Sequence, residues 1–91
     1  MKLGYFYGRT GSKIANQRIE YTSEDTMFIS YDTNIIKTTF DEEGKRMIIL
    51  DRYYWNYSKT TGKYRNEFLG EGIAETRKKI EDGKYILANL N

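Results

Sequence analysis

The stretch from Arg52 to Asn66 concentrates side chains that can bind other molecules. It combines four basic groups with five aromatic rings. Basic groups attract phosphates and carboxylates, and exposed aromatic rings stack on bases or fill pockets in a partner protein. Seven side chains of this stretch form our candidate binding surface: Arg52, Tyr53, Tyr54, Lys59, Lys63, Arg65 and Asn66.

A phosphate-binding loop is the enzyme motif that this stretch resembles most. Gly62 is followed by Lys63, but the motif requires an earlier glycine and a Ser or Thr after the lysine. Here that glycine is missing and Tyr64 follows the lysine. Nucleotide hydrolysis is therefore not predicted.

Three adjacent acids, Asp41, Glu42 and Glu43, form the other conspicuous group. A calcium loop would need oxygen ligands at alternate positions over about twelve residues. This segment lacks that spacing, so we interpret it as the solvated tip of a hairpin and predict no metal site.

The chain has no histidine and no cysteine. It therefore lacks the commonest general base, the commonest metal ligand and the thiol nucleophile. Serine and threonine are plentiful, but no base with a suitable pKa is evident to activate them. We predict a protein that acts by binding, with no catalytic residues and no cofactor.

Charge is unevenly distributed along the chain, although the net charge is only +2. Residues 21–43 carry six acids and one base, and residues 44–66 carry six bases and one acid. Two such blocks can steer a charged partner. Alternatively, folding mixes these charges in space, and the sequence leaves both outcomes open.

Strand patterns occupy the first half of the sequence. Residues 3–7 and, with a weaker pattern, 13–21 are predicted strands joined by a turn at residues 8–12. Residues 26–31 alternate with period two. Residues 34–40 and 46–51 then flank the acidic loop, in which Gly44 suits a left-handed position, so we expect a hairpin.

Helix patterns occupy the second half. Ser58 is a predicted N-cap, and Tyr57, Thr61, Tyr64 and Phe68 recur at helical spacing on one side up to a stop at Gly70. We expect Trp55, Tyr64 and Phe68 to pack against the sheet. A second helix is predicted over residues 73–82 and ends at Gly83, with Glu75 and Lys79 as an i,i+4 ion pair. Residues 85–87 form either a last strand or a docked tail.

These patterns predict one α+β domain over residues 1–91. Its small antiparallel sheet would have about four strands, followed by two short helices packed on it. No apolar run approaches the ~20 residues of a membrane helix, and we identify no signal peptide. We therefore expect a cytoplasmic protein with no membrane contact.

Residues Trp55–Leu69 contain the motif Trp-x-Tyr-Ser-x-Thr-Thr-x-Lys and end in Phe-Leu. This segment resembles a family of short phage- and plasmid-borne proteins of unknown function, and residues 28–33 and 75–85 also look like family segments. The resemblance covers roughly residues 26–87. Many members have a histidine shortly after the Thr-Thr pair, where this chain has Tyr64. The resemblance implies a mobile-element accessory protein in the host cytoplasm.

Two partner classes follow from these observations. We expect a host protein as the partner, with inhibition of a bacterial defence system as the function that the resemblance implies. The alternative is a nucleic acid bound by the basic region 44–66, which requires five cations on one continuous face: Arg46, Arg52, Lys59, Lys63 and Arg65. Spare tyrosines on an edge strand also allow a homo-oligomer.

Overall fold

Glycine, asparagine and aspartate provide the turns of this chain, because it contains no proline. In the computed structural model, which describes residues 1–91, the segments between these turns form six strands and two helices. In chain order they are β1 (Lys2–Tyr7), β2 (Lys13–Tyr21), β3 (Thr26–Ser30), β4 (Thr33–Phe40), β5 (Arg46–Asp51), α1 (Lys59–Leu69), α2 (Ile73–Glu81) and β6 (Tyr85–Ala88).

All six strands belong to one sheet, whose spatial order follows the sequence from β1 to β6. Strands β1 to β5 pair as an antiparallel meander, and β6 returns through the two helices to pair in parallel with β5. The predicted α+β class is confirmed, but the expected count of about four strands is wrong. The weakly patterned β2 is paired on both edges, and the C-terminal segment adds a sixth strand.

The turn between β3 and β4 consists of Tyr31 and Asp32 alone. Both residues have positive φ, 51° and 61°. Two-residue hairpin loops with both φ values positive match the twist of the flanking strands, and asparagine and glycine are the residues that favour them. A tyrosine at such a position therefore costs conformational energy that a glycine would avoid.

A β-bulge in β4 determines how the core is filled. Phe28 pairs with Ile36 and Ile29 pairs with Asn34, so Ile35 is an extra residue opposite β3. Both Ile35 and Ile36 are fully buried in the core cluster, together with Phe28 and Leu50. The bulge thus places two consecutive isoleucines in the core, which strict alternation would forbid.

Helix α1 packs across β3 on one face of the sheet. Its N-terminus is capped by Ser58, whose Oγ accepts a hydrogen bond from the Thr61 amide at 3.2 Å, as predicted. The Phe68 ring stacks on Phe28, with 5.6 Å between the ring centroids. The fully buried hydroxyls of Ser30 and Thr61 share a hydrogen bond of 2.8 Å, which joins sheet and helix directly.

Helix α2 is attached through Glu71, in the short connection between the helices. The buried carboxylate of Glu71 accepts hydrogen bonds from Thr76 Oγ1 (2.6 Å), Lys79 Nζ (2.6 Å) and Tyr85 Oη (2.7 Å). Lys79 therefore pairs with Glu71. The helical spacing predicted a pair with Glu75, and that prediction is wrong. One carboxylate links the interhelical connection, α2 and β6.

Both helices lie on the same face of the sheet, and the other face has no helical layer. The core cluster contains residues from the helix-covered face and the helices only. Successive side chains of a strand point to opposite faces, so Met27 and Ile49, the neighbours of the core residues Phe28 and Leu50, point to the uncovered face. Neither helix is both long enough and apolar enough to span a membrane.

Candidate binding surface

The connection between β5 and α1 begins at Asp51, whose side chain is fully buried. Its Oδ2 accepts hydrogen bonds from the amides of Tyr53 (3.1 Å) and Tyr54 (2.9 Å). Its Oδ1 accepts from the amide of Leu90 (2.8 Å) and from Asn91 Nδ2 (3.0 Å). One carboxylate therefore shapes the tyrosine turn and fixes it to the segment after β6.

Arg65 holds the same connection from its far end. Its Nη1 donates to the carbonyl of Trp55 at 3.0 Å and to Asn56 Oδ1 at 2.8 Å. Its Nε and Nη2 both donate to Asn66 Oδ1. The guanidinium packs beside Gly62, where a methyl group would lie 3.4 Å from Nη2, in van der Waals contact.

The Arg65 guanidinium is buried without an ion-pair partner within 4.0 Å. It lies over the Trp55 ring, 5.6 Å from the centroid, and Arg77 lies at the same distance from that ring. Burial lowers the pKa of Arg65, the positive charge of Arg77 lowers it further, and Glu71 opposes the shift. No carboxylate neutralises this guanidinium. Its positive charge is stabilised by the π face of Trp55 and by three oxygen acceptors.

Between these two anchors, three tyrosines point into solvent. Tyr53 is 69% exposed, and Tyr54 and Tyr57 pack edge to face with 5.4 Å between their centroids while remaining exposed. The sequence pattern had placed Tyr57 on the buried side of α1 with Thr61. Ser58 is the cap, so Tyr57 lies outside the helix, and that predicted cap was the signal that would have placed it correctly.

Two further tyrosines lie at the same end of the sheet. Because β1 to β5 are antiparallel, the end of β1, the β3–β4 turn and the end of β5 lie along one border. Tyr7 ends β1 and Tyr31 is in the turn, and both are exposed. We call this set the tyrosine end: Tyr7, Tyr31, Tyr53, Tyr54 and Tyr57.

The opposite border of the sheet carries the acidic loops. Glu24 and Asp25 lie between β2 and β3, and the tip formed by residues 41–43 joins β4 to β5. Residues Arg52 and Lys59 lie by contrast at the tyrosine end. The topology separates these charges, but Lys45 and Arg46 of the basic block lie at the acidic border and Asp32 of the acidic block lies at the tyrosine end, so the two blocks are partly mixed in space.

The predicted surface residues separate into two groups. Arg52, Tyr53, Tyr54, Lys59 and Lys63 are exposed, as a binding role requires. Asn66 is half-buried, and its side-chain oxygen accepts hydrogen bonds from Arg65. Arg65, which the sequence places in the candidate surface, is buried, because its guanidinium turns inward to the acceptors before the helix.

The cations of the basic region also do not form one face. Arg46 begins β5 and Arg52 follows its end, so the strand separates them by roughly 20 Å, at about 3.3 Å per residue. With Arg65 buried, Arg52, Lys59 and Lys63 are the cations of the basic region that remain exposed at the tyrosine end and on the helix beside it. Arg9 and Lys13, at the β1–β2 turn, are exposed at the same border.

Two surface clefts lie away from the exposed tyrosines of the β5–α1 connection. The larger, of about 540 Å³, lies at the opposite border between Lys45, Arg46 and Lys84. The smaller, of about 210 Å³, lies beside Asn16, which has a φ of 66° where the pairing of β1 with β2 shifts register. No group of three or more acidic side chains converges in a way that would hold a metal ion.

Comparison with known proteins gives a family and no function. A family model described as a family of unknown function (DUF8033) matches residues 1–85. Because this match covers nearly the whole chain, the protein belongs to that family. No curated protein and no solved structure matches the chain.

Proposed function

We propose that this member of the DUF8033 family acts by binding a protein through its tyrosine end. The proposal rests above all on Tyr31. Its backbone is in the left-handed region, at a φ of 51°, while its side chain is 49% exposed. The residue carries a conformational cost at a turn that an Asn-Gly pair would form readily, and burial of the ring offsets little of it. A binding role accounts for a tyrosine at this position.

The neighbouring tyrosines support the same role because they are displayed on a fixed backbone. Asp51 holds the amides of Tyr53 and Tyr54, and Arg65 holds the carbonyl of Trp55. A surface that is ordered before binding loses less conformational entropy when the complex forms. Tyrosine also offers a large rigid contact area with few rotatable bonds, which suits protein interfaces.

A protein partner is supported better than a nucleic acid. Of the five cations that the nucleic-acid hypothesis requires, Arg65 is buried and Arg46 lies at the opposite border. The acidic loops at residues 41–43 lie close to Arg46 in the chain and would repel phosphates there. The exposed cations at the tyrosine end also fit the acidic rim of a protein surface.

The biological setting is proposed on the resemblance alone. We propose a phage or mobile-element accessory protein that binds a host protein in the cytoplasm and inhibits a bacterial defence system. The support is the likeness of residues 55–69 to short phage- and plasmid-borne proteins.

Affinity purification from a bacterial lysate, followed by titration of each recovered protein, tests the proposal. The variant carries Tyr53→Ala, Tyr54→Ala and Tyr57→Ala. Its matched control removes two exposed rings at the opposite border, Tyr21→Ala and Phe40→Ala. We expect a partner that binds wild type and control equally and binds the variant at least ~100-fold more weakly, since several aromatic contacts are lost.

Nuclease treatment separates the two partner classes. Binding that disappears with nuclease, or that falls steeply with salt, would support the nucleic-acid alternative. Equal binding by wild type and variant would contradict a role for the tyrosine end.

Tyr31→Asn gives an independent test. Asparagine adopts positive φ more readily, so we expect unfolding stability to rise by up to ~1 kcal/mol while affinity for the partner falls. Thermal unfolding and titration of the same preparation measure both effects. A variant that is more stable and binds normally would remove Tyr31 from the proposed surface.

A further inference from the structure

The uncovered face of the sheet presents a continuous row of side chains across all six strands. The paired positions in this row are Leu3, Glu20, Met27, Lys37, Ile49 and Ile86. Four of the six are apolar, and Met47 adds a fifth apolar side chain two residues from Ile49. We call the face that contains this row and Met47 the open face.

These five apolar side chains take no part in the core cluster, whereas Ile29, which points to the same face, is buried. Leu3 is 45% exposed and Ile86 is 42% exposed, at opposite edges of the sheet, with Met27, Met47 and Ile49 half-buried between them. None of the five packs against the core cluster. The row is apolar at both edges and in the middle, with Glu20 and Lys37 between the apolar positions, and partly exposed apolar side chains on one face can form an interface.

Two ion pairs join charged groups of the open face. Arg18 Nε lies 3.1 Å from Glu20, and Lys37 Nζ lies 3.6 Å from Asp25. Thr39 Oγ1 also donates to Asp25. Lys45, Arg46 and Lys84, which form no ion pair, lie at one border beside Met47 and Ile86. The two ion pairs leave the middle of the open face without unpaired charge, so two copies would not repel each other there.

The dimensions of the molecule fit this partner. The chain measures 40 × 30 × 22 Å, and the shortest extent matches one sheet and one helical layer. The broad face is therefore comparable with the ~800 Å² that each partner contributes to a standard interface. A two-fold axis would place the same patch on both copies, as closed dimers require.

We propose that two copies of this chain pair through their open faces, forming a dimer with sheets inside and helices outside. The sheets would pack about 10 Å apart, as in other face-to-face sheet pairs. This proposal does not depend on the proposed function, because the tyrosine end lies at the border of the sheet and stays accessible in the dimer.

Light scattering after size exclusion, over a series of protein concentrations, measures the association. We expect a mass of twice the 10.8 kDa protomer. Met27→Lys with Ile86→Lys should weaken dimerisation by at least about tenfold, because two lysines would be buried against the partner. The control Phe40→Lys makes the same type of change at an exposed ring outside the open face.

Circular dichroism establishes that each variant is folded. A wild type that stays monomeric at every soluble concentration overturns the proposal, and so does a dimer that survives both lysines. Equal weakening by Phe40→Lys would also overturn it, because association would then not depend on this face.

Cross-linking gives a measurement that does not depend on a disruptive variant. The chain has no cysteine, so an introduced cysteine is its only thiol. Lys37→Cys lies in the middle of the row and should form a bismaleimide-linked dimer rapidly, because this cross-linker spans the ~10 Å between packed sheets. Glu43→Cys, at the acidic tip, should cross-link at least about tenfold more slowly at the same concentration. Equal rates would contradict pairing through the open face.

Discussion

The Arg65 guanidinium donates a hydrogen bond to the main-chain carbonyl of Trp55 at 3.0 Å, across the beginning of α1. The same guanidinium lies over the Trp55 ring. Arg65 therefore supports the candidate surface without being part of it, since it fixes the backbone that displays Tyr53 and Tyr54. A basic residue in a basic stretch thus acts here as an internal hydrogen-bond donor.

Arg65→Lys tests this role. Lysine keeps the positive charge, but its ammonium group lacks the planar array of donors by which the guanidinium reaches three separate acceptors. Buried oxygens therefore lose their donors. We expect a loss of about 1–3 kcal/mol in the free energy of unfolding, measured with urea. The control Lys63→Ala removes an exposed cation from the same helix and should change stability by less than ~0.5 kcal/mol. An unchanged urea midpoint for Arg65→Lys would show that the fork is dispensable.

The hydrogen bond between Ser30 and Thr61 can be tested with a double-mutant cycle. Thr61→Val leaves the buried Ser30 hydroxyl without its partner, and Ser30→Ala does the same to Thr61. Each single variant should lose about 1–3 kcal/mol, and the double variant should lose clearly less than their sum. Strict additivity would mean that the two hydroxyls do not interact in solution.

Glu71 predicts how stability depends on pH. Burial by itself raises the pKa of this carboxyl, but hydrogen bonds from Lys79, Thr76 and Tyr85 lower it below the ordinary value. A lowered folded-state pKa means that the contribution of Glu71 is complete above the unfolded value of about 4.3 and is lost as pH falls through the folded value. Stability should therefore decline in the acid range, with Glu71→Gln insensitive to that part of the decline.

The same network has an alkaline limit. Burial and the hydrogen bond to Glu71 raise the pKa of Tyr85, so the contribution of Tyr85 to stability is present below the unfolded pKa of about 10 and is lost as pH rises through the folded value.

At neutral pH, Glu71→Gln should cost about 1.5–3 kcal/mol in the free energy of unfolding, measured with urea. Glu75→Gln is the control, because Glu75 forms no ion pair. Equal losses for the two variants would contradict the network.

Gln17 predicts a stabilising substitution. Its side chain is 2% exposed, and neither amide atom has a hydrogen-bond partner. Gln17→Met has nearly the same shape and removes both unsatisfied groups, so we expect the free energy of unfolding to rise by about 1–3 kcal/mol. Gln17→Ala should instead lower stability by leaving a cavity. Destabilisation by methionine would mean that the amide is hydrogen-bonded in solution.

Local chemistry was sufficient to predict most element boundaries. Ser58, Gly70 and Gly83 delimit the helices where capping preferences place them, and the hairpin around Gly44 follows from alternation and turn residues. These features depend on neighbours within a few residues, so sequence patterns contain the necessary information.

Features that depend on distant contacts were not predictable in this way. The bulge at Ile35 depends on pairing with β3, and Glu71 attracts Lys79 away from Glu75 because Tyr85 and Thr76 converge on the same carboxylate. The buried position of Arg65 likewise requires acceptors that lie before the helix. Of the candidate surface, the tyrosines were identified from composition, and their shared border required the sheet topology.

The parallel pairing of β6 has a consequence for how this protein folds. Strands β1 to β5 pair with sequence neighbours, whereas Ile48 pairs with Tyr85 across two helices. Non-local pairing forms slowly, because the entropy cost of closing a long loop comes before any stabilising contact is made. We therefore expect the meander to form first and β5 to remain an unpaired edge until β6 docks. During that interval the exposed edge of β5 is the part of the chain most prone to pair wrongly with another molecule.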